Sequence, residues 1–126
     1  MARVLLADDN PTSRLTLQTV LEAGGYRVDS AASAAEAVGL LDQSEYELVV
    51  SDLSMESPEA GLKVLAHARM KEYRPATALV TSWHAEGNGE TKKTKAQVLI
   101  EPEDLPELLG QVATLIGTRA SRRVGR

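Results

Sequence analysis

Short apolar runs and helix-period stripes take turns along the chain. Val4-Leu5-Leu6-Ala7 is an unbroken apolar run that stops at Asp8 and Asp9. That is the pattern of a strand buried on both faces of a parallel sheet. Pro11 fits the first turn of a helix capped by Asp9 or Asn10. Leu17, Val20 and Leu21 give that helix its apolar stripe, and Gly24-Gly25 ends it. Residues 26–31 alternate and predict a second strand. Ser33-Ala34-Ala35-Glu36 is a capping box for a second helix, with Ala37, Leu40 and Leu41 facing inward. Leu48-Val49-Val50-Ser51-Asp52 predicts a third strand that again ends on an acid. A third helix is expected over residues 59–72, with Leu62, Leu65, Ala66 and Met70 as its stripe. Residues 76–81 and 98–100 predict the fourth and fifth strands. Asp104-Leu105-Pro106-Glu107 caps a last helix carrying Leu108, Leu109, Val112 and Leu115.

Strands alternating with helices at short spacing predict an α/β fold, a parallel sheet covered on both faces. One segment breaks the rhythm. Residues 83–95 run from Trp83 to Lys95 with Gly87 and Gly89 and with no leucine, isoleucine or valine. A helix belongs there by position, yet the composition opposes one, so a short or absent fourth helix is expected.

Length and charge narrow the classes. A chain of 126 residues fits one domain able to bury a core without staples. Cysteine is absent, which excludes disulfides, thiolate metal sites and a cysteine nucleophile. The N-terminal apolar run is too short for a signal peptide or a membrane span, so a cytoplasmic protein without membrane contact is expected. Net charge is −4, but the last eight residues hold Arg119, Arg122, Arg123 and Arg126 and no acid, which leaves −8 on residues 1–118. An acidic body argues against nucleic acid as a partner of the domain. Residues 119–126 read as a solvated basic tail or the start of a linker, and residues 1–118 as the domain.

The chemistry sits where strands end. In open parallel sheets, ligands bind beyond the C-terminal ends of the strands. Strand one ends on Asp8-Asp9, strand three on Asp52, and strand four on Thr81-Ser82. In the flavodoxin-like strand order these three ends are adjacent, so three carboxylates and a hydroxyl converge at one rim. Singly, each has an ordinary explanation. Asp9 suits a helix cap, an Asp at a strand end suits a turn, and Thr81 suits a strand. Jointly, crowded carboxylates call for a cation, and hard oxygen donors at this density suit Mg2+. A carboxylate beside such a metal can attack a phosphoryl group to give an acyl phosphate.

Val4-Leu5-Leu6-Ala7-Asp8-Asp9-Asn10-Pro11, Val49-Val50-Ser51-Asp52-Leu53, Leu79-Val80-Thr81-Ser82 and Ile100-Glu101-Pro102 together resemble the receiver domain of two-component response regulators. The resemblance covers about residues 3–117. It implies a doubly wound five-stranded sheet of order 2-1-3-4-5 with Asp52 as phosphoacceptor. It implies Mg2+ held by Asp8, Asp9, Asp52 and the main-chain carbonyl of Ser54, with Thr81 hydrogen-bonding the phosphoryl group. The implied partners are a histidine kinase or phosphotransfer protein upstream and another protein downstream.

The chain also departs from the family pattern. Glu101 stands where such domains place a lysine that pairs with the phosphoryl oxygens, and Lys95 lies about 20 Å away along an extended strand. Val98 replaces the aromatic switch residue. The turn of residues 55–61 is one residue longer than usual and carries Glu56 where proline is common. These features imply an atypical, weakly phosphorylated receiver, with a phosphorylation-independent pseudo-receiver as the alternative. A phosphatase using the Asp52 nucleophile is disfavoured because Ser54 is not the second acid such enzymes carry, so no enzyme is expected.

Overall fold

The computed structural model describes residues 2–52, 55, 57, 59–80, 99–100 and 105–124, with backbone alone for 99–100, 105–106 and 121–124. Ser54, Thr81, Val98, Glu101 and the segment 83–95 lie outside the described residues, as does any helix within that segment.

The strands are β1 (Arg3–Ala7), β2 (Arg27–Ala31), β3 (Leu48–Asp52), β4 (Ala76–Val80) and β5 (Leu99–Ile100). The helices are α1 (Pro11–Ala23), α2 (Ala34–Gln43), α3 (Ala60–Arg69) and α4 (Leu105–Val124). The strands form one five-stranded parallel sheet in the order β2-β1-β3-β4-β5, as expected. A crossover after β2 carries the chain past β1, which places β1 and β3 side by side in the middle of the sheet.

The apolar strands alternate faces with period two, and this sorts them into two cores. Leu5, Ala7, Val49 and Leu79 pack with Leu41, Val64 and Leu65 under α2 and α3. Val4, Leu6, Leu48 and Val50 pack with Leu17, Leu21, Leu108 and Val112 under α1 and α4. The α1 cap resolves in favour of Asn10, whose Oδ1 accepts from Ser13 N–H at 2.9 Å, with Pro11 in the first turn. Gly25 takes φ +102 just beyond the helix, a conformation that favours glycine. Ser33 Oγ accepts from Glu36 N–H at 3.1 Å, while the Glu36 carboxylate accepts from Ala32 N–H at 2.8 Å, a reciprocal cap.

Helix α3 differs from expectation. It runs Ala60–Arg69, and its buried side is Ala60, Gly61, Val64, Leu65 and Ala68. Ala66 is exposed, Met70 is 77% exposed, and Leu62 is only partly buried. The stripe is therefore turned by one position from the one traced through the large side chains. Close approach is the reason: a Cβ built on Gly61 would lie 2.9 Å from Ser51 Oγ and 3.0 Å from the Asp52 carbonyl oxygen. A helix that comes this near a strand buries small residues, which size-based patterning passes over.

The strand starts are tied by polar contacts. Arg3 N–H donates to Glu47, the Arg3 guanidinium meets Asp29 at 3.1 Å, and Tyr46 O–H donates to Asp29 at 2.7 Å. Burial and the Asp29 hydrogen bond push the Tyr46 hydroxyl up to about 12. The last helix passes through residue 118, the boundary drawn from charge, and runs to Val124. Arg119, assigned by sequence to the tail, is a helical residue that donates to the carbonyls of Arg74 and Tyr73 at 2.9 and 2.8 Å.

Gly61→Ala should lower stability by roughly 1–3 kcal/mol in urea unfolding, because overpacking at backbone contacts exceeds the ~1 kcal/mol gain in helix propensity. A variant as stable as wild type would show that α3 can retreat from β3.

Candidate functional site: paired carboxylates at the rim of the sheet

The register Leu6↔Val50 and Ala7↔Ser51 carries the next residue of each strand, Asp8 and Asp52, to the same level of the sheet. Both are buried, Asp8 at 0% exposure and Asp52 at 1%. Backbone contacts hold them there. Asp8 N–H donates to the Ala31 carbonyl at 3.0 Å, extending the sheet past the end of β1, and Asp52 lies beneath Gly61.

Two charged oxygens in so dry a place need partners. Asp8 Oδ1 accepts from Asn10 N–H at 3.0 Å. Asp8 Oδ2 is buried and meets no donor among the described residues. The Asp52 carboxyl lies within hydrogen-bond reach of Asp8. Burial is the main cause that raises the Asp8 carboxyl above the ordinary aspartate range, and the neighbouring Asp9 charge adds to it. The Asn10 N–H, the Asp52 contact and the Arg14 charge act the other way.

Asp9 itself is exposed, beside the pair and not within it. Among the described residues, no group of three acidic or histidine side chains is close enough to hold a metal by itself. Asp8 and Asp52 alone supply a hard, oxygen-rich donor pair in which Asp8 Oδ2 meets no donor among the described residues, which fits a divalent cation such as Mg2+ completed by waters. Of the residues expected at the site, the structure joins Asp8 and Asp52 and sets Asp9 at their edge. Ser54 and Thr81 lie outside the described residues.

One contributor was missed in the sequence. Arg14 Nη1 donates to the Asp8 carbonyl at 2.9 Å and fixes the chain between β1 and α1. Its signal was its place, one helical turn beyond the Asn10 cap and therefore on the same side of α1.

The response regulator receiver domain model matches residues 4–110. The chain belongs to that family. This receiver domain is 38% identical over 52 residues to the sensor protein EvgS of Escherichia coli K12, covering 41% of the chain and 4% of EvgS. It resembles the response regulator TrrA of Thermotoga maritima, solved in complex with Mg2+-BeF, at TM-score 0.66 and 25% identity over 91% of this chain and 99% of that one. It also resembles, at TM-score 0.72 and 27% identity, a chain in the complex of histidine kinase ThkA with TrrA, covering 91% of this chain and 98% of that one. The receiver domain thus spans a small fraction of EvgS and nearly all of the solved regulators. Among its described residues, no helix is long and apolar enough to cross a membrane.

A carboxyl raised in the folded state adds stability at low pH and loses it as pH rises through the folded value. Metal-free receiver domain should therefore lose stability as pH climbs above the ordinary aspartate value of 3.8. Asp8→Asn should flatten that slope and raise the metal-free melting temperature at pH 7 by a few degrees. Thermal melts in EDTA across pH check this, and an equal loss of stability at every pH would refute it.

Proposed function

We propose that this receiver domain accepts a phosphoryl group on Asp52 from the phosphohistidine of a kinase or phosphotransfer protein. It then signals in the cytoplasm through contact with a downstream protein. The observation that carries the reading is the buried Asp8–Asp52 pair at the ends of adjacent strands, with Asp8 Oδ2 lacking a donor. The likeness to TrrA, solved with Mg2+-BeF and with a histidine kinase, supports it.

In the proposed reaction an Asp52 carboxylate oxygen attacks phosphorus. The bond from phosphorus to the donor nitrogen breaks, and that nitrogen keeps the electron pair and takes up a proton. Asp8, Asp9, Asp52 and the Ser54 carbonyl would hold Mg2+, which when bound offsets carboxylate charge and charge developing on the phosphoryl oxygens. Asp8 is held for this by Asn10 N–H, and its backbone by Ala31 and Arg14. Thr81 would donate a hydrogen bond to the phosphoryl group.

Acetyl phosphate with Mg2+ should add one phosphoryl mass to the intact chain and none to Asp52→Ala. Mg2+ alone should raise the melting temperature, since it binds only the folded state. An unmodified wild type would favour the second reading, a pseudo-receiver that binds partners without phosphate. Glu101 and Val98, which stand where the family has a lysine and an aromatic residue, favour that reading.

Glu101 also sets the expected extent of modification. At about 5 Å and an effective dielectric near 20, each unit of charge is worth roughly 3 kcal/mol against a phosphoryl charge before screening, and exchanging Lys for Glu changes two units. Glu101→Lys should therefore raise the phosphorylated fraction at fixed acetyl phosphate. Full modification of wild type with no change in the variant would show that Glu101 does not face the phosphoryl group.

A further inference from the structure

Ser13 is buried in the first turn of α1 at 2% exposure, and its Oγ meets no hydrogen-bond partner among the described residues. A buried helical hydroxyl commonly folds back on the carbonyl four residues earlier. Thr114 makes that contact in α4, donating to the Gly110 carbonyl at 3.0 Å. Ser13 does not. It begins the stripe that Leu17 and Leu21 continue toward the sheet at intervals of four. Alanine there would be the better helix former and would strand no polar atom. A buried hydroxyl kept without a partner calls for a use.

Its place in the fold indicates which. Val4 and Leu6 of β1 and Leu48 and Val50 of β3 pack with Leu17 and Leu21 of α1. Side chains two residues apart along a strand share a face, so the same alternation carried one step further puts Asp8 and Asp52 on the face that α1 covers. Ser13 lies in the turn of α1 that starts from that rim. Two hydrogen bonds tie it there: its N–H donates to Asn10 Oδ1 at 2.9 Å, and Asn10 N–H donates to Asp8 Oδ1 at 3.0 Å. The buried polar side chains among the described residues are Asp8, Ser13, Ser51 and Asp52. Ser51 is turned toward α3, its Oγ 2.9 Å from a Cβ built on Gly61. Ser13 thus carries the buried hydroxyl on the face of the two acids.

We infer that Ser13 Oγ–H donates a hydrogen bond to a phosphoryl oxygen carried by Asp52. The inference rests on the proposal that Asp52 is the phosphoacceptor. Ionised carboxylates offer a phosphoryl group no donor and repel its oxygens. A neutral hydroxyl supplies a donor and adds no charge to the rim. The hydroxyl is unmet in the unphosphorylated domain and satisfied in the phosphorylated one, so it favours the latter.

The test is calorimetric titration of the full chain with beryllofluoride, a phosphoryl mimic, in saturating Mg2+. Ser13→Ala should bind it about tenfold more weakly, the worth of one hydrogen bond to a charged acceptor. Ser13→Thr, which keeps a hydroxyl, should recover the affinity. Mg2+ alone should bind wild type and Ser13→Ala equally. In EDTA, Ser13→Ala should melt no lower than wild type, because its hydroxyl has no partner within the chain to lose. Intact mass after acetyl phosphate separates this inference from the reading beneath it. A wild type that takes no phosphoryl group sinks both. A modified wild type whose Ser13→Ala variant binds beryllofluoride as tightly sinks this inference alone. A lower melting temperature of Ser13→Ala in EDTA would give the hydroxyl a structural role, and weaker Mg2+ binding would assign it to the metal. Either of these, or a Ser13→Thr variant as weak as Ser13→Ala, would overturn the inference.

Discussion

Two carboxylates share a place from which water is excluded, and much of the molecule can be understood from what that requires. Asp8 and Asp52 end the two central strands, each of which is an apolar run buried on both faces. The burial that stabilises the sheet is the same burial that strips both acids of solvent. Stripped of solvent, a carboxyl favours its protonated form, and the Asp8 carboxyl, raised mainly by burial, expresses this. A divalent cation answers the same demand and leaves a charged nucleophile in place.

The approach of α3 is part of the same arrangement. Gly61 lets the first turn of that helix lie against Ser51 and the Asp52 carbonyl. Ala60 and Ala68 continue the small-residue contact, while Val64 and Leu65 fill the core between them. The end of β3 is thereby gripped from above by backbone and from the side by β1 and β4, so the acid it carries has little freedom to move.

The two rims of the sheet treat charge in opposite ways. At the strand starts, opposite charges meet: Arg3 pairs with Asp29, lies 5.3 Å over the Tyr46 ring, and donates through its backbone to Glu47. Each pair is partly exposed and individually worth little. Together they fix the ends of β1, β2 and β3, and Arg119 brings α4 into the same set through Glu47. At the strand ends, like charges meet, and the Asn10 N–H and the Arg14 charge offset them only in part.

The sequence by itself determined the alternation of strands and helices, the caps at Ser33 and at Asp9 or Asn10, and the placing of acids at strand ends. These depend on local periodicity and on side chains that satisfy nearby backbone groups. The resemblance supplied the strand order. What tertiary structure decided is finer. It sank Asp8 and left Asp9 exposed, although the two are adjacent in sequence, because Asp8 still pairs with β2 while Asp9 has left the sheet. It turned the buried side of α3 toward Gly61 in place of the large residues, because the distance to β3 is set by packing. It brought Arg14 to the Asp8 carbonyl and made Arg119 part of the body, since contacts between residues far apart in the chain leave no period to read.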